Sequence, residues 1–188
     1  MSSIKIAKLT LDGYVNYGNL LQSYALQQVL SRYAEVVDSI WHSPDNFLPR
    51  IWWRWNYKFA AKFILNWKGF RAAILQGDVG AEMVRQGKLK DWADRYIRIR
   101  TDVEDLHTIT DDYDYFVVGS DQVWNPYFGD LQQNFLQFAP MEKRLSYAAS
   151  IAAPEIPSDK RKIYHDGFSG MKAISMREKE GADIVRDI

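Results

Sequence analysis

Residues Tyr113–Pro126 read YDYFVVGSDQVWNP, and the break in character at Gly119 decides the fold class. The run up to Val118 is aromatic, β-branched or Asp, the pattern of a short strand buried on both faces. It gives way at once to Gly119-Ser120-Asp121-Gln122, a burst of polarity that no core requires. Open α/β sheets bind ligands just outside the carboxyl ends of their strands, where such residues converge. Gly119 permits a close approach of backbone or ligand, and Asp121 can accept or shuttle a proton. Gln122, Trp124 and Asn125 add directional hydrogen bonds beside a flat ring. The same residues would also serve as a plain strand-to-loop turn in which Ser120 and Asp121 cap a following helix.

Outward from this strand the pattern repeats. Ile4–Leu9 reads as a first strand, followed by an Asn/Gly-rich turn and a helix from Leu20 to about Tyr33, with Asn19 as its N-cap. Leu21, Ala25, Val29 and Tyr33 recur at four-residue spacing, with Leu26 and Leu30 beside them, and form its apolar face. Val36–Ile40 gives a second strand and completes a βαβ unit. Met83–Ile97 reads as a helix, Leu145–Ser150 and Ala173–Met176 as further strands, and Glu178–Asp187 as a last helix whose early glutamates suit the positive end of its dipole. Strands separated by helices imply an α/β domain with a doubly wound, mainly parallel sheet. Ile4–Leu9, Val36–Ile40, Tyr113–Val118 and Leu145–Ala149 are expected at its centre. Residues 1–188 are expected to form one such domain.

Lys plus Arg and Asp plus Glu balance at 24 each, so no overall field favours nucleic acid. There is no cysteine, which excludes disulfides and thiolate zinc sites and fits a reducing cytoplasm. No stretch of about 18 uncharged apolar residues suggests a membrane span, and no apolar signal core precedes the first strand. The dinucleotide, Walker A, zincin and nucleophile-elbow signatures are absent. His42, His107 and His165 are scattered singly and read as surface residues.

Residues 46–77 interrupt the α/β pattern with six Lys or Arg, nine aromatics and no acidic residue. Arg50, Arg54, Lys58 and Lys62 fall four apart, as do Trp55, Phe59, Phe63 and Trp67. The window is expected to be a helical insertion. Its aromatic row packs on the domain while its basic row stays solvated, the alternative being a helix lying on an anionic membrane.

With parallel strands, polar groups from several strand ends gather along one edge. Asn16, Asn19 and Gln22 follow the first strand, Ser120, Asp121 and Gln122 the central one, Tyr147 and Ser150 mark the next, and Ser175 and Arg177 the last. Such a set both donates and accepts, which suits a polyhydroxylated ligand. Arg177 adds a fork for a carboxylate or phosphate, or else pairs with neighbouring Glu178.

Four blocks carry a resemblance to a known family. Asn16–Gln27, reading NYGNLLQSYALQ, and Val117–Pro126, reading VVGSDQVWNP, are similar to the N-terminal and central motifs of the polysaccharide pyruvyl transferases. Leu145–Ser150 (LSYAAS) and Ile174–Gly181 (ISMREKEG) resemble two further blocks in the same order. The resemblance implies a two-domain, glycosyltransferase-B-like enzyme roughly twice this length by usual domain sizes, of which this chain is the N-terminal, acceptor-side half. It implies transfer of an enolpyruvyl group from phosphoenolpyruvate to two neighbouring sugar hydroxyls, leaving a pyruvate ketal on a cell-surface glycan or its precursor, free or lipid-linked. No cofactor is implied, since phosphoenolpyruvate is the donor substrate. Asp121 becomes the candidate base, with Ser120, Gln122 and Asn125 orienting the acceptor, and Asn16, Asn19 and Arg177 would face the interdomain cleft. Gln22, Trp124, Tyr147 and Ser150 are the further substrate-binding candidates. In the family, the residues credited with holding phosphoenolpyruvate lie mainly in the C-terminal half, so this half alone is expected to be inactive. A nucleotide-sugar-dependent glycosyltransferase of similar architecture and a non-catalytic glycan-binding module remain as alternatives. The location implied is cytoplasmic, with peripheral contact at the inner membrane face as an option.

The basic aromatic window yields a first prediction. If its aromatic row packs on the domain, cosedimentation with anionic liposomes should be negligible. Salt-sensitive binding abolished by Lys58→Glu with Lys62→Glu would instead place the window on the membrane, because each basic residue near such a surface contributes about 1 kcal/mol.

Overall fold

A computed structural model describes residues 3–14, 16–41, 78–127 and 129–188. The basic aromatic window at 46–77 lies outside the described residues. Five strands form one sheet: β1 (Lys5–Leu9), β2 (Val36–Ile40), β3 (Ile99–Arg100), β4 (Tyr115–Gly119) and β5 (Arg144–Tyr147). Their order is β3-β2-β1-β4-β5 and every pairing is parallel. The chain winds from β1 outward to β3, then returns to the other side of β1 for β4 and β5. The fold is therefore a doubly wound α/β domain whose topological switch point lies between β1 and β4.

Side-chain alternation assigns the two faces. Ile6, Val37 and Val117 meet Leu26 and Leu30 of α1 (Tyr17–Leu30). Beside them, α2 (Asp78–Tyr96) packs Ala93 near Leu20 and Trp41. Ala7, Phe116 and Val118 point the other way, into the cluster holding Tyr164 and Phe168 of α4 (Arg161–Ser169). Because β4 is covered on both faces, it reads as a contiguous apolar run rather than an alternating one, whereas β1, covered likewise, reads KIAKL and buries Lys8. The second cluster includes Trp124 stacked on Phe135 with centroids 5.3 Å apart, and Tyr164 and Phe168 edge-on to Phe135. Two further short helices among the described residues are α3 (Leu131–Asn134), capped by Asp130, and α5 (Lys179–Asp187).

Several boundaries differ from the sequence expectation. Helix α1 starts at Tyr17, and its N-cap is Asn16 rather than Asn19: Asn16 is extended and its Oδ1 accepts from Gly18 N at 2.8 Å. The buried face of α1 is Leu20, Ser23, Leu26 and Leu30, while Leu21 is 52% exposed and Tyr33 lies past the helix end. Of the expected apolar face, Leu26 and Leu30 are buried, whereas Leu21, Ala25 and Tyr33 are exposed, because the polar Ser23 belongs to the buried face. Strand β4 begins at Tyr115; Tyr113 is buried ahead of it, its hydroxyl donating to Asp38 Oδ2 at 2.7 Å. Strand β5 is last in the sheet order rather than central. Ala173–Met176 is not a strand: only isolated parallel bridges join Ala173 to Leu145 and Met176 to Ala149. Backbone bonds from Ser146 N to Ala173 O and from Ala149 N to Ser175 O join the segments, but Ser146 Oγ accepts from Ser175 N at 3.0 Å and Ala148 adopts φ 50°, so a side chain and a kink interrupt a regular ladder.

Ser23 is tolerated in the core because β1 carries Lys8 on the same face. Lys8 is fully buried, and its Nζ donates to Ser23 Oγ at 2.5 Å and to Ser39 Oγ of β2. Among the described residues no carboxylate is bonded to it there, and burial pushes its pKa down to about 7. The unfolded chain titrates this amine near 10.5. Between the two values the unfolded state binds the extra proton, and stability rises with pH. Relative to Lys8→Met, the wild type should gain about 3 kcal/mol between pH 7 and pH 10, given 1.36 kcal/mol per unit. Urea unfolding of both proteins at the two pH values checks this, and parallel profiles would contradict it. A second expectation concerns Gly167 in α4, where an added Cβ would collide with the Phe135 ring. Glycine-to-alanine in a helix normally gains about 1 kcal/mol, but here Gly167→Ala should lose at least about 1–3 kcal/mol through overpacking, seen as a lower urea midpoint.

Candidate functional site

The switch point sets the site. β1 and β4 run side by side with Lys8 opposite Val117 and Leu9 opposite Val118, so their carboxyl ends share one edge. At that edge β4 ends in Gly119 with φ 138°, pressed so closely on the Tyr147 carbonyl of β5 that a Cβ would strike it. Only glycine accommodates both the angle and the contact. Ser120 follows in the left-handed region at φ 60°, its N–H donating to Tyr147 O at 2.8 Å. Ala148 and Ala152 share this uncommon conformation at φ 50°. Three non-glycine residues in a sparsely populated region thus cluster where the chain leaves β4 and β5, a feature that recurs at binding and catalytic sites.

Asp121 is the centre of the edge. It is 6% exposed; its backbone carbonyl accepts from Ser150 N at 3.0 Å and its Oδ1 from Gln122 N at 2.7 Å. Burial raises its pKa above the ordinary carboxylate value, against the opposing effects of the Gln122 N–H and the Arg177 charge. The Gln22 amide is satisfied in one orientation. Nε2 donates to Ser120 O at 2.5 Å and to Asp121 Oδ2 at 3.2 Å, and Oε1 accepts from Arg177 Nη1 at 3.3 Å. Arg177 also reaches Glu178 Oε1 through Nε at 2.9 Å, so the two roles expected for it, facing the cleft and pairing with Glu178, coexist. These groups line a cleft of about 380 Å³, whose walls include Gln22, Asp121, Gln122, Ser150 and Arg177.

The remaining expected site residues fall outside it. Asn16 caps α1, and Asn19 lies half-buried in the first turn of that helix. Trp124 offers no stacking surface: it is 0% exposed, its ring stacked on Phe135 and its Nε1 donating to Asn134 O at 3.0 Å. Asn125 is buried and shapes the turn, accepting from Tyr127 N at 2.9 Å and donating to Gln122 Oε1 at 3.2 Å. Ser120 directs its hydroxyl to Gln22 O at 3.3 Å, and Tyr147 is exposed at the end of β5. Neither Ser120 nor Tyr147 is part of the cleft wall. Conversely, Glu178, Glu180 and Ile151–Ala153 line the cleft and were not singled out as contacts. The REKE run beside Arg177 was the available signal for the two glutamates.

A larger groove of about 480 Å³ runs between Glu104–His107 and Gln132–Phe138 on another part of the surface. Its acids are engaged locally, Asp105 accepting from His107 N and Asp130 from Gln132 N, both at 2.9 Å. Among the described residues no cluster of His, Cys, Asp and Glu is placed to hold a metal ion. Nor is any described helix long and apolar enough to cross a membrane.

The chain was compared with known families, curated proteins and solved structures. A family model described as polysaccharide pyruvyl transferase matches residues 16–188, a span containing every residue of the cleft. No curated protein and no solved structure matches. The chain belongs to the polysaccharide pyruvyl transferase family.

Proposed function

We propose that this domain is the acceptor-side half of an enzyme that transfers an enolpyruvyl group from phosphoenolpyruvate to a pair of sugar hydroxyls. The observation that carries this reading is Asp121, a carboxylate held at the switch-point edge with a raised pKa and hydrogen-bonded by neutral donors. A general base works best when its pKa approaches the working pH, and burial moves Asp121 in that direction. The uncharged lining from Gln22, Gln122 and Ser150 suits hydroxyl groups, while Arg177 suits an anionic portion of a substrate.

The chemistry balances without an external oxidant or reductant. Asp121 accepts the proton of one sugar hydroxyl as its oxygen bonds to C2 of phosphoenolpyruvate, and the methylene carbon gains a proton. The C2–O bond to phosphate breaks with its electron pair, and the neighbouring hydroxyl adds to the resulting oxocarbenium centre to close the ketal. Of the two hydroxyl protons, one ends on the new methyl group and one on the departing phosphate. The donor pocket and the acid that protonates carbon belong, in this reading, to a second domain. The acceptor is a polysaccharide repeat or its precursor, lipid-linked or free, met in the cytoplasm with at most peripheral membrane contact.

Asp121→Asn should keep the fold, being nearly isosteric. It should also be at least as stable at pH 7, because a carboxylate whose pKa is raised on folding loses stability as pH rises through that interval. In a form that carries the donor-binding half, turnover should fall by about 100-fold or more. For the parent enzyme the rate should decline toward acid through a pKa above the ordinary Asp value. Phosphate release from phosphoenolpyruvate in the presence of acceptor measures both. Unchanged release in the variant would reassign Asp121 to a structural cap, and release of a nucleoside diphosphate from a nucleotide sugar would replace the reaction.

A further inference from the structure

Asp121 and Arg177 line the same cleft with opposite charges, yet the structure does not pair them directly. Arg177 is bonded through Nε to Glu178, and the Asp121 carboxylate accepts only from amides. The side chain between them is Gln22, 3.2 Å from Asp121 Oδ2 on one side and 3.3 Å from Arg177 Nη1 on the other. It is fastened at both ends to the exit of β4. Its amide donates to the Ser120 carbonyl at 2.5 Å, and its backbone carbonyl accepts from Ser120 Oγ at 3.3 Å. An amide is the uncharged side chain that can donate to a carboxylate and accept from a guanidinium at the same time.

We propose that Gln22 is a positioning residue, a neutral spacer that holds the Asp121 carboxylate and the Arg177 guanidinium apart so that each can engage a different part of a substrate. In a direct Arg–carboxylate pair both partners would be saturated: the fork would close on the acid in bidentate fashion and hold it ionised. With Gln22 between them, the acid keeps its basicity and the guanidinium keeps a free edge. The other charged groups of the cleft are Glu178 and Glu180 around the start of α5. Glu178 anchors Arg177 from the side opposite Gln22. Neither the first turns of α1 nor Ile151–Ala153 brings a charge to the cleft wall. This assignment rests on the reading of Asp121 as a base, but its test does not depend on catalysis.

The test is the Asp121 pKa, measured by carboxyl-carbon NMR titration of this 188-residue chain. Gln22 is half-buried in α1, and alanine is the best helix former, so Gln22→Ala should fold. Losing the spacer should let Arg177 close on Asp121 and lower its pKa by about one to three units. Adding Arg177→Met to Gln22→Ala should return most of that shift, because the double variant lacks the new partner. Gln22→Glu, which sets a negative charge beside Asp121, should raise the value instead. No change in Gln22→Ala would overturn the proposal. So would a drop that persists without Arg177, since it would then come from water entering the gap. The titration stands whatever the reaction, whereas the Asp121→Asn assay reports on the reaction alone.

Discussion

The pairing of β1 with β4 is the constraint on which the rest depends. Each strand has a parallel neighbour on both sides and is covered on both faces, so its backbone bonds run laterally and its buried side chains are mostly apolar. Polarity otherwise gathers where the strands end. The reversal of winding direction between β1 and β4 leaves a crevice at that end, because the connections leave in opposite directions. Asp121, Gln22 and Arg177 come from three distant parts of the sequence, and they meet because this crevice is where all three segments emerge.

Lys8 is the exception to apolarity within the central pair. Its amine lies under α1 with two hydroxyls as partners and, among the described residues, no counter-charge bonded to it, so burial brings its pKa down to about 7. The same arrangement explains how a serine can occupy the buried face of α1: Ser23 and Lys8 satisfy one another, and Thr10 Oγ1 stands 3.3 Å from Ser23 Oγ. A polar residue inside the packed layer is stable as part of a closed set of hydrogen bonds and costly outside one.

The fold was legible from sequence because a parallel sheet covered on both faces imposes contiguous apolar runs, as in Tyr115–Val118. The face of α1 was not, since periodicity scores Ser23 as solvent-facing and cannot see Lys8 opposite it. The Ala173–Met176 passage was read as a strand on composition, whereas the pairing is decided by Ser146 and Ser175, whose hydrogen bonds are tertiary. For the site, the motif blocks drew attention to Gln22, Asp121, Ser150 and Arg177, which share one cleft. They equally drew attention to Trp124 and Asn125, whose partners, Asn134 and Tyr127, come from the segment that follows. A residue type able to bind a ligand is also able to bind its own chain, and which it does depends on what folds over it.

The two-bridge passage from Ala173 to Met176 also affects how the molecule meets others of its kind. A sheet ending in a full strand would display a row of unpaired amides and carbonyls, a template for another chain to extend. Here the outer side of β5 is covered by a segment that bonds Arg144, Ser146 and Ala149 through both backbone and Ser side chains without forming a regular strand, while β3 at the opposite margin is two residues long. Among the described residues neither border offers a long regular strand for strand-by-strand growth, so the irregular crossing acts as a selvedge at the β5 side.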